Sequence, residues 1–280
     1  MPKLFANPHL PNYFVAAEDV VAGSSPRSYV PEYEDGKVIY FPNLNANIDF
    51  DFWAGLDTDL YPALKKMAHS PNMSDLSDVE DLAKRLKKRE VPTQLIGIIC
   101  DNMVKVYQLL LPIYTKIFSD YEFERPNVVW RLNTIMTENM HIDAYSEMSP
   151  YHFARMFVNL DNQPRIWQTS WPIGEIEKLV KGKVPANVLQ DASANDLWSY
   201  FNGAVFGKSS KEWWDDQPRH VAFFAPGDVW IVDSRQISHQ IFYGRRAVSI
   251  DFFIDPSKML HPERYYISIA ERFRAENALA

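Results

Sequence analysis

The chain has one cysteine, Cys100, in 280 residues. An internal disulfide is excluded, and the composition fits a reducing compartment. Flanked by Ile98 and Ile99, that thiol reads as a buried structural group and not as a nucleophile. Long apolar runs are missing. None reaches the roughly 18 residues of a membrane span, and the N-terminus lacks the apolar core of a signal peptide. These features give a cytoplasmic expectation. Positive charge is also short: 29 Lys and Arg stand against 36 Asp and Glu, for a net charge of −7. A nucleic-acid partner is not expected, because phosphate binding needs a basic surface. No G-x-S-x-G elbow supports a hydrolase triad. The stretch Gly203–Ser209 has only three residues between its glycines, and a phosphate-binding loop needs four.

What is present is apolar and aromatic. Hydrophobic residues make up 46% and aromatics 14%, with 8 Trp, enough for a large core and a β-rich fold. The first 35 residues, broken by five prolines, read as irregular. Lys37–Phe41 reads as a short strand ended by Pro42. Ser77-Asp78-Val79-Glu80 matches a capping box for a helix whose basic cluster at 84–89 suits a solvated face. Thr93–Tyr121 reads as a longer helix interrupted near Pro112. From Val128 the apolar period becomes strand-like: Val128–Met136, His141–Asp143, Phe153–Leu160 and Arg165–Thr169. Residues 173–216 read as a helical insertion. Strands resume near Val221, with a turn at Pro226-Gly227-Asp228, another at Gly244 and a strand over Ala247–Ile254. Residues 262–279 read as a terminal helix. The expectation is one α+β, mainly β domain: a double-stranded β-helix of the jelly-roll or cupin type with flanking helices. The N-terminal strand and helices occupy about 33–121 and the barrel about 126–255.

The chemistry-bearing residues are His141 and Asp143, with His239 far downstream. Residues i and i+2 of a strand share a face, so His141 and Asp143 can ligate one ion. Two imidazoles and a carboxylate make the facial triad that holds Fe(II) with positions open for cosubstrate and O2. Oxygenases of this kind commonly use 2-oxoglutarate, whose distal carboxylate needs a cation. Arg155, inside the apolar strand Phe153–Leu160, is the leading candidate, because a mid-strand charge is costly to bury without a partner. A salt bridge to Asp161 is the plain alternative, and Arg245 and Arg246 are rivals. Trp167, Trp171 and Trp230 could wall a pocket, although Trp230 reads better as core. A metal-binding cupin without redox chemistry also fits these residues.

The stretches His141-Ile142-Asp143-Ala144-Tyr145, Arg155-Met156-Phe157-Val158-Asn159-Leu160 and Pro164-Arg165-Ile166-Trp167 resemble the Kdo hydroxylases of Gram-negative bacteria. Gly36–Pro42, the Pro226-Gly227 turn and His239–Gly244 extend the resemblance over about residues 33–255. It implies an Fe(II)- and 2-oxoglutarate-dependent dioxygenase that hydroxylates the 3-position of Kdo in Kdo-lipid A, with peripheral inner-membrane contact an open option. It carries the iron-ligand role onto His141, Asp143 and His239, and a pocket role onto Arg155, Asn159 and Arg165.

Overall fold

The computed structural model describes the chain apart from residues 1, 22–25, 43, 45–47, 65, 71–75, 145–149, 191, 208–215 and 278–280; it leaves out the side chains at 63, 66–70, 76–78, 125–126 and 133–136. The Ser77 capping box and Tyr145 therefore lie outside the described residues.

Two sheets share one long strand. The smaller contains β1 (Lys3–Phe5), β8 (His220–Phe224), β7 (Arg165–Pro172) and the first half of β10 (Ile237–Ile254), in that order. The larger runs β4 (Lys66–Ser70), β5 (Arg125–Met136), the second half of β10, β6 (His152–Asn159), β9 (Val229–Ile231), β3 (Val38–Tyr40) and β2 (Phe14–Ala16). All these pairings are antiparallel except β2 with β3. The curled sheet is the jelly-roll core expected from the strand rhythm.

Gly244 does not mark a turn. β10 runs through it and changes partners there, from β7 to β5 and β6, with register shifts on both sides of the crossing. The missing Cβ serves packing: one built at Gly244 would lie 2.4 Å from Nη1 of Arg165. The first 35 residues also hold more structure than their prolines suggest, namely β1, β2 and the short helix α1 (Val30–Glu34).

Strand alternation divides the larger sheet into two faces. Val128, Trp130, Ala154, Met156, Val158, Val248 and Ile250 point outward to the helices α2 (Phe50–Gly55), α3 (Leu76–Lys87) and α4 (Thr93–Ile117). α4 is a single helix with Pro112 inside it. By length and composition it could cross a bilayer, which the sequence reading had excluded. Its buried face, including Ile99, Met103, Leu110 and Tyr114, instead packs into the same apolar cluster as the sheet.

The insertion supplies α5 (Ile173–Val180), α6 (Ala186–Gln190) and α7 (Ala194–Phe206). α7 starts at a capping box made by Ser193 and Asp196. With the terminal helix α8 (Tyr266–Asn277) these form a second apolar cluster around Trp198, Phe201 and Phe273.

Candidate metal centre and cosubstrate pocket

His141–Asp143 is not a regular strand. One isolated bridge joins His141 to His239, with His141 N–H donating to the His239 carbonyl at 3.0 Å and the reverse bond at 2.8 Å. The opposite edge is held by a side chain. Asn202 on α7 accepts from Ile142 N–H at 2.8 Å and donates to the Ile142 carbonyl at 2.9 Å. Its carboxamide thus pairs with the backbone as a neighbouring strand would. The Ile142 side chain is fully buried in the helical cluster. With the middle residue anchored outward, His141 and Asp143 turn inward together.

One ligand atom from each of His141, Asp143 and His239 lies within 4.8 Å of the others. Asp143 Oδ1 stands 3.3 Å from His141 Nε2 and 3.8 Å from His239 Nε2. Donors about 2.0–2.2 Å from one ion sit roughly 3 Å apart on an octahedral edge, so closing on an ion draws the His141 contact in by about 0.3 Å and the His239 contact in by about 0.8 Å. Both Nδ1 atoms face backbone carbonyls, Asn139 at 2.6 Å and Ile237 at 3.3 Å. Nδ1–H donation there leaves each Nε2 lone pair for a metal. The residues fit a small divalent ion.

The charges are coupled. Burial works against protonation of His141, but the hydrogen bond and charge of Asp143 outweigh it and raise the imidazole to about 9. Burial and the neighbouring His141 push His239 down to about 4. Burial alone would raise Asp143; His141, His239 and Arg155 together hold it well below the usual carboxylate range. Asp143 thus favours a positive charge on the His141 side of the cluster.

The cavity above the triad measures about 250 Å³, below the roughly 300–1,000 Å³ of drug-sized sites. It has room for a small dicarboxylate and the tip of a larger substrate. Arg131, Arg155 and Arg165 all face it; among the described residues only Arg155 has acidic partners, and Arg131 donates to the Ser249 hydroxyl at 3.2 Å. Arg155 sits between two carboxylates, with Nη1 2.7 Å from Asp143 and Nε 2.9 Å from Asp251. The alternative salt bridge to Asp161 does not form; Asp161 pairs with Arg245 through two bonds of 2.7 and 2.6 Å. Arg246 is spent on the carbonyls of Trp53, Leu132 and Leu56. Neither rival arginine lines the cavity. Arg165 is buried, and among the described residues its Nε and Nη1 have no hydrogen-bond partner. Burial, then the charge of Arg131, lowers it to about 10, so it stays cationic at neutral pH. An unpaired buried guanidinium is costly, and an anion in this cavity would relieve the cost.

Residues 17–197 match the family described as 3-deoxy-D-manno-oct-2-ulosonic acid (Kdo) hydroxylase. That is nearly two-thirds of the chain. The chain belongs to the Kdo hydroxylase family. A solved structure of the Kdo hydroxylase KdoO, a non-haem Fe(II) alpha-ketoglutarate-dependent dioxygenase with succinate and Fe(III), is similar over 95% of this chain and 96% of its own, with 18% identity and a TM-score of 0.55. The KdoO complex with alpha-ketoglutarate and Fe(III) gives 18% identity and a TM-score of 0.52, over 95% of each chain. At this identity the likeness speaks for the fold. No curated protein sequence matches the chain.

Within this Kdo hydroxylase family member, Asn159 is not a pocket residue. Its amide donates to the carbonyls of Gln163 and Phe224 and accepts from Asp161 N–H. The strand ends there, and the side chain satisfies backbone groups of the turns on either side. Trp167 does line the cavity, 5.1 Å from the His239 ring by centroid. Trp230 is core, stacked on Phe224 at 3.9 Å. Trp171 bonds Gln217 and packs on the helical cluster. Three residues escaped the sequence reading: Arg131, Asn202 and Ser234. Arg131 carried the same signal as Arg155, a charge inside an apolar strand. Asn202 and Ser234 carried no signal.

Proposed function

We propose that this chain is an Fe(II)- and 2-oxoglutarate-dependent hydroxylase acting on the 3-position of Kdo in Kdo-lipid A. The observation that carries the reading is the pairing of the His141, Asp143 and His239 cluster with an unpartnered buried cation, Arg165, in one cavity. Membership of the Kdo hydroxylase family supports Kdo as the first substrate to test. When bound, iron and 2-oxoglutarate would supply the oxidising power that puts one oxygen atom of O2 into a C–H bond, with succinate and carbon dioxide released.

The chain's own residues would do the rest. His141, Asp143 and His239 hold the ion on one side and leave the cavity side open. Arg165, with Arg131 across from it, receives the distal carboxylate of 2-oxoglutarate in a charge-assisted contact. This role was expected of Arg155, whose charge Asp143 and Asp251 already match. Trp167, Phe157 and Ile241 line the cavity and would give a bound ion a dry wall. The cavity is too small for a lipid, so the sugar would enter alone, presented by a molecule that stays in its bilayer. Peripheral contact with the cytoplasmic face of the inner membrane belongs to the same proposal.

Anaerobic titration with Fe(II) and 2-oxoglutarate should produce the weak visible charge-transfer band of the chelate. Admitting O2 with Kdo-lipid A should then release succinate and add one oxygen to the Kdo residue. Absence of the band with metal bound would leave a redox-silent cupin. Succinate coupled only to a different substrate would keep the chemistry and move the specificity.

A further inference from the structure

We propose that Arg155 and Ser234 are positioning residues that lock the Asp143 carboxylate so that a single oxygen, Oδ1, faces the metal. The proposal rests on the metal reading above.

The two carboxylate oxygens have different surroundings. Oδ1 faces the Nε2 atoms of both histidines. Oδ2 is taken by Arg155 Nη1 at 2.7 Å and by Ser234 Oγ at 2.5 Å. Arg155 Nη1 also donates to Ser234 Oγ at 2.6 Å, which closes a triangle of three polar groups. Ser234 holds the same residue by its backbone, since its carbonyl accepts from Asp143 N–H at 2.8 Å.

The clamp is itself rigid. Arg155 and Asp251 are directly opposed across β6 and β10, and Arg155 Nε donates to Asp251 at 2.9 Å. Both side chains are buried, at 9% and 2% exposure. Arg155 N–H donates to the Tyr33 hydroxyl at 3.1 Å, and that hydroxyl donates to the Phe153 carbonyl at 2.6 Å. The guanidinium therefore cannot swing toward a ligand without breaking a buried ion pair.

The consequence is coordinative. A facial triad leaves positions for the cosubstrate and O2 only if its carboxylate takes one position. A carboxylate free to rotate could bind through both oxygens and occupy another. Holding Oδ2 on Arg155 and Ser234 prevents this, and outer partners of this kind commonly set metal affinity.

The test uses the full chain with Co(II), whose visible spectrum reports coordination geometry. We expect Arg155→Gln to weaken Co(II) binding by about 10–100-fold and to change the band shape and intensity. Ser234→Ala, a small change suited to surviving folding, should shift the spectrum in the same direction with a smaller loss. Arg155→Lys should recover part of the affinity. Apparent affinity for 2-oxoglutarate, measured at saturating metal, should stay near that of the parent protein in all three. Unchanged Co(II) affinity and spectrum in both Arg155→Gln and Ser234→Ala would overturn the proposal. A rise in the 2-oxoglutarate requirement at Arg155→Gln with the metal spectrum intact would return Arg155 to the cosubstrate site. Failure of the metal reading would look different: the parent protein would not bind Co(II), or His239→Ala would bind it equally well.

Discussion

β5, β6 and the second half of β10 present two faces from one backbone. The outward face carries Val128, Trp130, Met156, Val158, Val248 and Ile250, all packed on helices. The inward face of the same strands carries Asn127, Arg131, Arg155 and Asp251. Outward, shape decides, and Trp130 stacks on Trp53 at 5.3 Å. Inward, charge decides, and buried ions persist only when paired or when a ligand is expected. Asp251 with Arg155 is the paired case; Arg165 on the neighbouring sheet is the other. A period of two lets stability and chemistry be altered separately along one strand.

Substitutions on the two faces should separate these roles. The largest effect is expected at the triad. His239→Ala should abolish metal-dependent turnover while leaving the thermal midpoint of the apo protein within a few degrees; retained succinate release would remove His239 from the centre. On the outward face, Trp130→Ala should cost ~3–5 kcal/mol of stability, read by denaturant unfolding, without altering metal affinity per folded molecule.

Two histidines sharpen the contrast by pH. Burial holds His152, packed on the outward side near Tyr33 and Tyr121, down to about 4, with Asp233 opposing and Arg235 adding to the shift. The unfolded imidazole takes its proton near 6.5. The stabilising contribution is therefore complete above about 6.5 and is lost as pH falls toward 4, by ~3 kcal/mol. His152→Gln should flatten that slope in urea midpoints measured across the range. Inward, His141 has the opposite sign. Its proton must leave for a metal to bind, so ion affinity should rise with pH up to about 9, and a flat profile would argue against the His141–Asp143 proton.

Arg165→Gln should raise the KM for 2-oxoglutarate by on the order of 100-fold, since truncating one partner of a buried charge pair costs ~2–5 kcal/mol. Metal affinity should hold. The smallest effect is expected at Gly244→Ala. A Cβ there meets Arg165 Nη1, and the displaced guanidinium should raise the same KM by roughly tenfold, as a distorted contact worth ~1.4 kcal/mol would. An unchanged KM would show that Arg165 does not act from its present position.

Much of this was legible in the chain. H-x-D followed by strand, Pro-Gly turn and strand pointed to His141, Asp143 and His239, because residues two apart on extended chain share a face however the fold closes. The basic residue types needed for an anion site were visible too, as charges inside apolar strands. Which arginine does which work was not. Arg155 meets Asp251 across 96 residues of sequence, and Arg245 takes the Asp161 that had been offered to Arg155. Asn159 shares a strand parity with Arg155, yet its position at the strand end turns it to backbone service. Gly244 signalled a turn and proved to be a space for Arg165.

The sequence by itself determined the strand and helix periods, the pairing of two histidines with a carboxylate and the family, because these are carried by local pattern and residue chemistry. The tertiary structure alone decided the partners: Asn202 as a surrogate strand beside Ile142, the Ser234 and Arg155 hold on Asp143, and the unpartnered state of Arg165. Pairing energies depend on a few ångströms of separation between residues far apart in the chain, and only the closed sheet sets those distances.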